Sequence, residues 1–269
     1  MELKKAFTHS GVFHADDVFA SALLQFIFTG IDIRRGRQAP ENFDGIVFDI
    51  GGGKFDHHQE KKEYRENGVP YAAFGLLWRE YGTEILCEED ARQFDLEFVQ
   101  PIDKSDNTGE QNILCSVIAD MNPAWDEKAY SQEEAFEEAV RLAKAILERK
   151  FISIRAQRAA FSQVEELVKI TKGNVLEMER AMPWKRAVCG SGIEFVIFPS
   201  SRRGYMVQAV PVEEHSQALK HPFPKQWRGK APSQLQELTG IATFHFCHGS
   251  GFICAAGTLE DARKIACMA

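Results

Sequence analysis

The stretch Phe48 to Gln59, FDIGGGKFDHHQ, constrains this chain more than any other. An apolar run beginning at Gly45 delivers Asp49 at its end, three glycines turn the chain, and Asp56, His57 and His58 follow. That order describes a strand feeding a ligand-rich loop. Carboxylate and imidazole donors together suit a borderline divalent ion such as manganese, zinc or iron better than calcium, which prefers oxygen alone. Neighbouring side chains on extended or loop backbone diverge, so one imidazole can face a metal while the other faces whatever the metal acts on. Taken alone, a histidine pair is more often a solvated loop or a satisfied polar cluster.

A second ligand-rich junction raises the metal reading above that alternative. THSGVFHADDVFASALLQFIF places His9, His14, Asp16 and Asp17 between a short apolar segment and a run with Val18, Ala22, Leu23, Phe26 and Ile27 at helical spacing. Acids in a first helical turn also simply complement the helix dipole. Beside His9 and His14, Asp16 reads as a metal ligand and Asp17 as a dipole partner or a support to the ligands. The surrounding pattern predicts strands at Lys4–Thr8, Ile31–Arg34 and Gly45–Ile50, and helices at Asp16–Phe28, Ala72–Tyr81 and Glu88–Ile102. Such alternation implies a mainly parallel sheet, which places ligands at the carboxyl ends of its strands. PIDKSDNTGEQN then supplies Asp103 and Asp106, three apart and on one face if the helix continues, so that either can reach the site. The same segment also reads as an ordinary turn after a helix.

From Ser131 the texture changes. SQEE fits a capping box, and Phe136, Val140, Ala143, Leu147, Phe151, Ile154, Phe161 and Leu167 keep rough helical spacing until Gly173. One long helix is expected, with or without a break, as a linker over 131–172 between a catalytic domain, 1–130, and a substrate-binding domain, 173–269. VLEME, RAVC (Arg186–Cys189), EFVIF, YMVQAVP and ATFHFC have the composition of strands in that last domain. FHFCHGSGFICAAG then joins His248 to Gly249, Gly251 and Gly257. A glycine loop lets backbone N–H groups approach an anion, and the guanidinium forks of Arg202, Arg203 and Arg228 match phosphate oxygens. Without the loop these arginines would read as solvated surface, and the loop by itself as a turn.

Composition excludes a few classes. A net charge of −7 and a pI near 5.7 argue against a general nucleic-acid coat, while leaving room for a local basic groove. The six cysteines form no CxxC pair, which disfavours zinc knuckles and disulfide scaffolds and suggests reduced thiols. The opening MELKKAFTHSG lacks the apolar core of a signal peptide, and the apolar stretch around Ala20 to Phe28 is too short to span a bilayer. A cytoplasmic protein with no membrane partner is expected.

The segments THSGVFHADD, GGGKFDHHQ, IDKSDN, VQAVP, PKQWRG and FCHGSGFICAAG run from His9 to Gly257, nearly the whole chain. They resemble the DHH phosphoesterase superfamily, and within it the melanocyte proliferating gene family, once labelled metal-dependent protein hydrolases. The resemblance implies an α/β fold: a parallel-sheet DHH-type catalytic domain joined by a long helix to a smaller α/β substrate-binding domain that closes over the cleft. It implies two divalent ions, manganese before magnesium, held by His9, His14, Asp16, Asp49, His57 and an acid of the IDKSDN segment, with Asp103 favoured over Asp106. Two such ions, ~3.5–4 Å apart, activate water and stabilise the attacking and leaving oxygens. His58, with Asp56 beside it, would protonate the leaving oxygen or bind the scissile phosphate. The loop of His248, Gly249 and Gly251 resembles the Gly-Gly-His-x-x-Ala-Ala-Gly loop that binds substrate phosphate in associated domains. His14 departs from the pattern, standing where pyrophosphatases and nano-RNases carry an aspartate. The implied activity is a 3′-to-5′ exoribonuclease releasing 5′-mononucleotides from single-stranded RNA or short oligonucleotides. The alternatives are a small-molecule phosphatase acting on pyrophosphate or dinucleotides, and a non-catalytic metal-binding regulator. The oligomeric state is left open, a dimer included.

Overall fold

Strand β1, Lys5–His9, lies at the centre of a three-stranded sheet in the computed structural model, which describes residues 5–269. Lys4, where the sequence pattern starts this strand, lies outside the described residues. β1 pairs in parallel with β2, Asp32–Gly36, and with β3, Ile46–Val47, giving the order β2-β1-β3. Parallel neighbours require a crossover, and between β1 and β2 it is the helix α1, Ala15–Ile27. The first ten residues of α1 are all buried. They include two carboxylates, a costly arrangement that has to be compensated locally.

Helix α2, Ala73–Ile85, packs on α1 through Phe74, whose ring centroid lies 5.6 Å from that of Phe19. Helix α3, Glu88–Phe94, passes through a π-helical segment, Asp95–Val99, directly into α4, Gln100–Thr108. The helix expected to end at Ile102 therefore continues until Gly109, whose left-handed φ of 72° lets its N–H cap the Ser105 carbonyl. A short helix α5, Ile113–Ala119, follows. Its cap is the Asn112 side chain, which accepts from the N–H groups of Leu114 and Cys115.

Helix α6, Gln132–Ile170, is one unbroken helix. Ser131 and Glu134 cap it reciprocally: the Ser131 hydroxyl accepts the Glu134 N–H at 3.2 Å, and the Glu134 carboxylate accepts the Ser131 N–H at 3.0 Å. Phe136, Val140, Ala143, Leu147 and Phe151 form its buried stripe. The chain divides into two compact units, Met1–Arg155 and Ala156–Ala269, and the division falls inside α6. Among the described residues no helix is long and apolar enough to cross a membrane.

The second unit holds β4, Val175–Glu177, α7, Lys185–Val188, β5, Phe195–Pro199, and β6, Tyr205–Ala209. It continues through α8, Pro232–Thr239, to β7, Phe244–Cys247, β8, Ile253–Ala256, and α9, Leu259–Met268. Its mixed sheet has the order β4-β5-β6-β8-β7, with only β4 and β5 parallel. The RAVC segment is not the expected strand. The Ala187 and Val188 N–H groups both donate to the Trp184 carbonyl, winding one helical turn. An apolar run this short carries no periodicity that separates strand from helix.

Candidate metal centre

Four segments of the first unit bring their ligand-type side chains together. β1 ends on His9; α1 contributes Asp16 and Asp17 from its first turn, with His14 as its N-cap residue. The chain beyond β3 contributes Asp49, His57 and His58, and α4 contributes Asp106. Asp49 adopts a left-handed φ of 57°, a conformation that costs a non-glycine residue energy and concentrates at functional sites. Its N–H donates to the Phe55 carbonyl, which closes the glycine loop behind it.

Asp49 is the hub. One of its oxygens, Oδ2, lies 3.2 Å from His9 Nε2, and the other, Oδ1, lies 3.0 Å from His57 Nε2. His9 Nε2 also lies 3.2 Å from Asp17 Oδ2, while His57 Nε2 lies 3.3 Å from Asp106 Oδ2 and 3.7 Å from Asp16 Oδ2. Three triads result, the first two sharing Asp49: His9, Asp17 and Asp49; Asp49, His57 and His58; and His14, Asp16 and Asp106. Within each, the candidate donor atoms all lie within 4.8 Å of one another.

These donors fit a cation better than they fit each other. Both oxygens of Asp16, Oδ2 of Asp17, Oδ1 of Asp49 and Nε2 of His57 are buried without a hydrogen bond. His57 Nε2 and Asp49 Oδ1 are close but not aligned as donor and acceptor. Buried carboxylates without partners are costly, and divalent cations coordinated by oxygen and nitrogen would satisfy them. The protonation pattern tells the same story. The carboxylates of Asp17 and Asp49 beside it raise the His9 imidazole to about 10 against its burial. Burial opposes the charged form of His57, but Asp49, Asp106 and Asn107 outweigh it and raise its pKa. Burial also opposes ionisation of Asp49, yet His57 and His9 hold it down at about 2. Burial, then the charges of Asp49 and Asp106, pushes the Asp16 carboxyl well above the ordinary range.

Other side chains named from the sequence stand elsewhere. Asp103, favoured over Asp106, points away from the cluster: its Oδ2 accepts from Arg65 at 2.8 Å and its Oδ1 accepts the Gly75 N–H at 3.0 Å. With both oxygens taken, Asp103 braces α4 while Asp106 reaches His57. Asp56 holds the loop together. Its carboxylate accepts the N–H groups of Gly52 and His58 and lies 3.0 Å from His58 Nδ1. His58 itself is 61% exposed and lines an open cleft of about 420 Å³. His14, Asp49 and Asp106 line the same cleft, and among the described residues no lysine or arginine does. Asn107 escaped the sequence reading. Its Oδ1 lies 3.4 Å from His57 Nδ1, while its amide donates to the carbonyls of Tyr71 and Asp103. Its position next to Asp106 was the only signal available.

In the second unit the anion-binding candidates separate. His248 to Gly251 form the turn between β7 and β8, with His248 Nδ1 2.8 Å from the Ser250 hydroxyl. Arg228 stacks against this turn: a Cβ on Gly251 would come within 2.4 Å of its Nε. Its guanidinium donates to the Phe223 carbonyl. Arg202 and Arg203 precede β6, whose Tyr205 pairs with Ala256, whereas Gln208 pairs with Ile253 beside the His248 turn. They therefore sit at the opposite end of the β6–β8 pair. In the Gly-Gly-His-x-x-Ala-Ala-Gly pattern, moreover, the histidine position aligned on Ala255, Ala256 and Gly257 holds Phe252.

The family model MYG1_exonuc, described as "Uncharacterised protein family (UPF0160)", matches residues 5–269. Among curated relatives, the chain is 28% identical to the human "MYG1 exonuclease", over 96% of this chain and 84% of that protein. It is 28% identical to a MYG1 protein of Schizosaccharomyces pombe, over 98% and 96% of the two chains. It is 24% identical to a MYG1 protein of Saccharomyces cerevisiae, over 98% and 95%. No solved structure matches the chain significantly.

Proposed function

The chain belongs to the MYG1 family (UPF0160), and from that premise we propose that it is a metal-dependent phosphodiesterase, a 3′-to-5′ exoribonuclease releasing 5′-mononucleotides. The observation that carries the reading is Asp49, which offers one oxygen toward His9 and the other toward His57. A carboxylate so placed would offer a donor oxygen on each of two sides. His9 and Asp17 would hold one side, His57, Asp16 and Asp106 the other, with His14 and His58 at the open face. Two divalent ions held there, manganese before magnesium, would supply Lewis-acid activation of the attacking water. Relatives that carry the word exonuclease in their names support a nucleic-acid substrate.

The remaining work falls to side chains. Asp56 anchors His58 through Nδ1, which leaves Nε2 to donate to a leaving oxygen or a phosphate in the cleft. Asn107 accepts from His57 Nδ1 and keeps Nε2 directed at the donor cluster. The His248–Gly251 turn with Arg228 would bind a substrate phosphate. In this reading the arrangement is that of DHH phosphoesterases, with a cytoplasmic enzyme acting on single-stranded RNA or short oligonucleotides.

A second reading has its own observation. Among the described residues no lysine or arginine lines the cleft at the metal centre, which suits a small phosphoester as well as a polyanion. End-labelled RNA, end-labelled DNA and pyrophosphate, incubated side by side with manganese, separate the two. The proposal expects stepwise shortening of RNA from its 3′ end with mononucleotide release. Turnover of pyrophosphate alone would favour the second reading.

A further inference from the structure

Cys247 and Cys254 stand directly opposite each other on the antiparallel strands β7 and β8, and both are buried. The adjoining pair, His248 and Ile253, carries the ladder bond from His248 N–H to the Ile253 carbonyl. The Cys247 carbonyl turns outward instead, accepting the Gly229 N–H at 3.0 Å. The two cysteines thus occupy a non-hydrogen-bonded position, where opposed Cα atoms lie roughly 4.5 Å apart and side chains approach most closely. That spacing falls inside the Cα window of about 4.4–6.8 Å that a disulfide accepts.

We propose that Cys247 and Cys254 are an oxidisable pair, which a hydroperoxide closes to a cross-strand disulfide bracketing the His248–Gly251 turn. The two thiols differ in the way such chemistry needs. The neighbouring Cys254 thiol and the nearby charge of Arg228 lower the pKa of the Cys247 thiol against its burial. Burial, reinforced by Cys247, raises that of Cys254. Cys247 is the sulfur to react first. Its thiolate attacks a peroxide oxygen: an S–O bond forms, the O–O bond breaks, and the other oxygen leaves as water or alcohol with the proton the thiol gave up. The sulfur is oxidised to a sulfenic acid and the peroxide is reduced. Cys254 then attacks that sulfur; the S–S bond forms, the S–O bond breaks, and hydroxide leaves as water with the Cys254 proton. The hairpin tip that follows Cys247, His248, Gly249 and Ser250, is exposed.

The test uses the full reduced chain, treated with hydrogen peroxide and digested for peptide mapping. The expected result is loss of two of the six thiols, a linked Cys247–Cys254 peptide lighter by two hydrogens, and full reversal by dithiothreitol. In Cys254→Ala the reaction should stop at Cys247, where dimedone traps the sulfenic acid. Oxidation confined to Cys87, Cys115, Cys189 or Cys267, with no linked peptide from a chain that keeps its circular dichroism, would overturn the proposal. If Cys254→Ala does not fold, the linked peptide in the unsubstituted chain decides the matter alone.

Discussion

Arg65 donates from Nη2 to Asp103 at 2.8 Å inside the first unit, and the same guanidinium grips Asp95 through Nε and Nη2. The contact is tight enough to exclude a side chain at Gly75, where a Cβ would lie 1.8 Å from Asp103 Oδ2. Asp103 therefore ties α4 to α2 and to the loop that carries Arg65, and α4 in turn presents Asp106 and Asn107 to His57.

Asp103→Asn and Asp106→Asn should fail differently. Replacing Asp103 weakens a buried charged hydrogen bond, and a loss of about 2 kcal/mol of stability is expected with modest change in metal affinity. Replacing Asp106 removes a donor from the cluster, so the manganese requirement should rise more than about tenfold with little change in melting. Thermal melting beside metal titration reads both. A shifted metal requirement in the Asp103 variant alone would return Asp103 to the ligand set.

Asn107 should behave as a positioning residue. Asn107→Leu removes the acceptor beside His57 Nδ1, and metal affinity should fall about 10–100-fold. Asn107→Asp, which keeps an acceptor there, should recover most of it. Calorimetric titration of manganese into the three proteins checks this; equal weakening in both variants would contradict it.

Metal binding should release protons. The metal-free site holds His9 protonated at neutral pH, since its pKa is raised from 6.5 to about 10 by Asp17 and Asp49. A metal can bind His9 Nε2 only after displacing that proton. Apparent affinity should therefore climb as pH rises from about 6 toward 9. Titrations at one pH in buffers of different ionisation enthalpy should show proton release. A pH-independent affinity would remove His9 from the ligands.

His248→Ala should leave the fold and metal content intact. Hydrolysis of an oligonucleotide should drop at least about tenfold, while a small activated diester such as bis-nitrophenyl phosphate is spared. Equal losses on both substrates would contradict the division of labour. Arg202→Ala with Arg203→Ala, altering the far end of the β6–β8 pair, tests whether a second anion contact lies there.

The cluster of donor-type side chains was legible because such residues stand where apolar runs end: His9 after one, Asp49 after another, Asp16 in the first turn of a helix. The long helix α6 was legible because its stripe from Phe136 to Phe151 repeats for many turns. Asp103 and Asp106 were not separable, because spacing alone puts both on one helical face. What distinguishes them is Arg65 and Gly75, whose approach to Asp103 is set by tertiary packing. The parting of Arg228 from Arg202 and Arg203 was hidden for a similar reason, since it depends on β8 lying between β6 and β7. Short elements such as α5, and the helical turn α7, carry too few residues for a period to show.

The most direct test of the account is to count bound ions while measuring hydrolysis. Purified protein is stripped with a chelator, reloaded with manganese, analysed by elemental mass spectrometry and assayed on end-labelled RNA. Two ions per chain are expected in the unsubstituted protein, with activity that vanishes with the chelator and returns with manganese, and with both ions and activity lost in Asp49→Asn. RNA shortening that persists in the stripped protein, or an Asp49→Asn variant that keeps both ions and its rate, would contradict it.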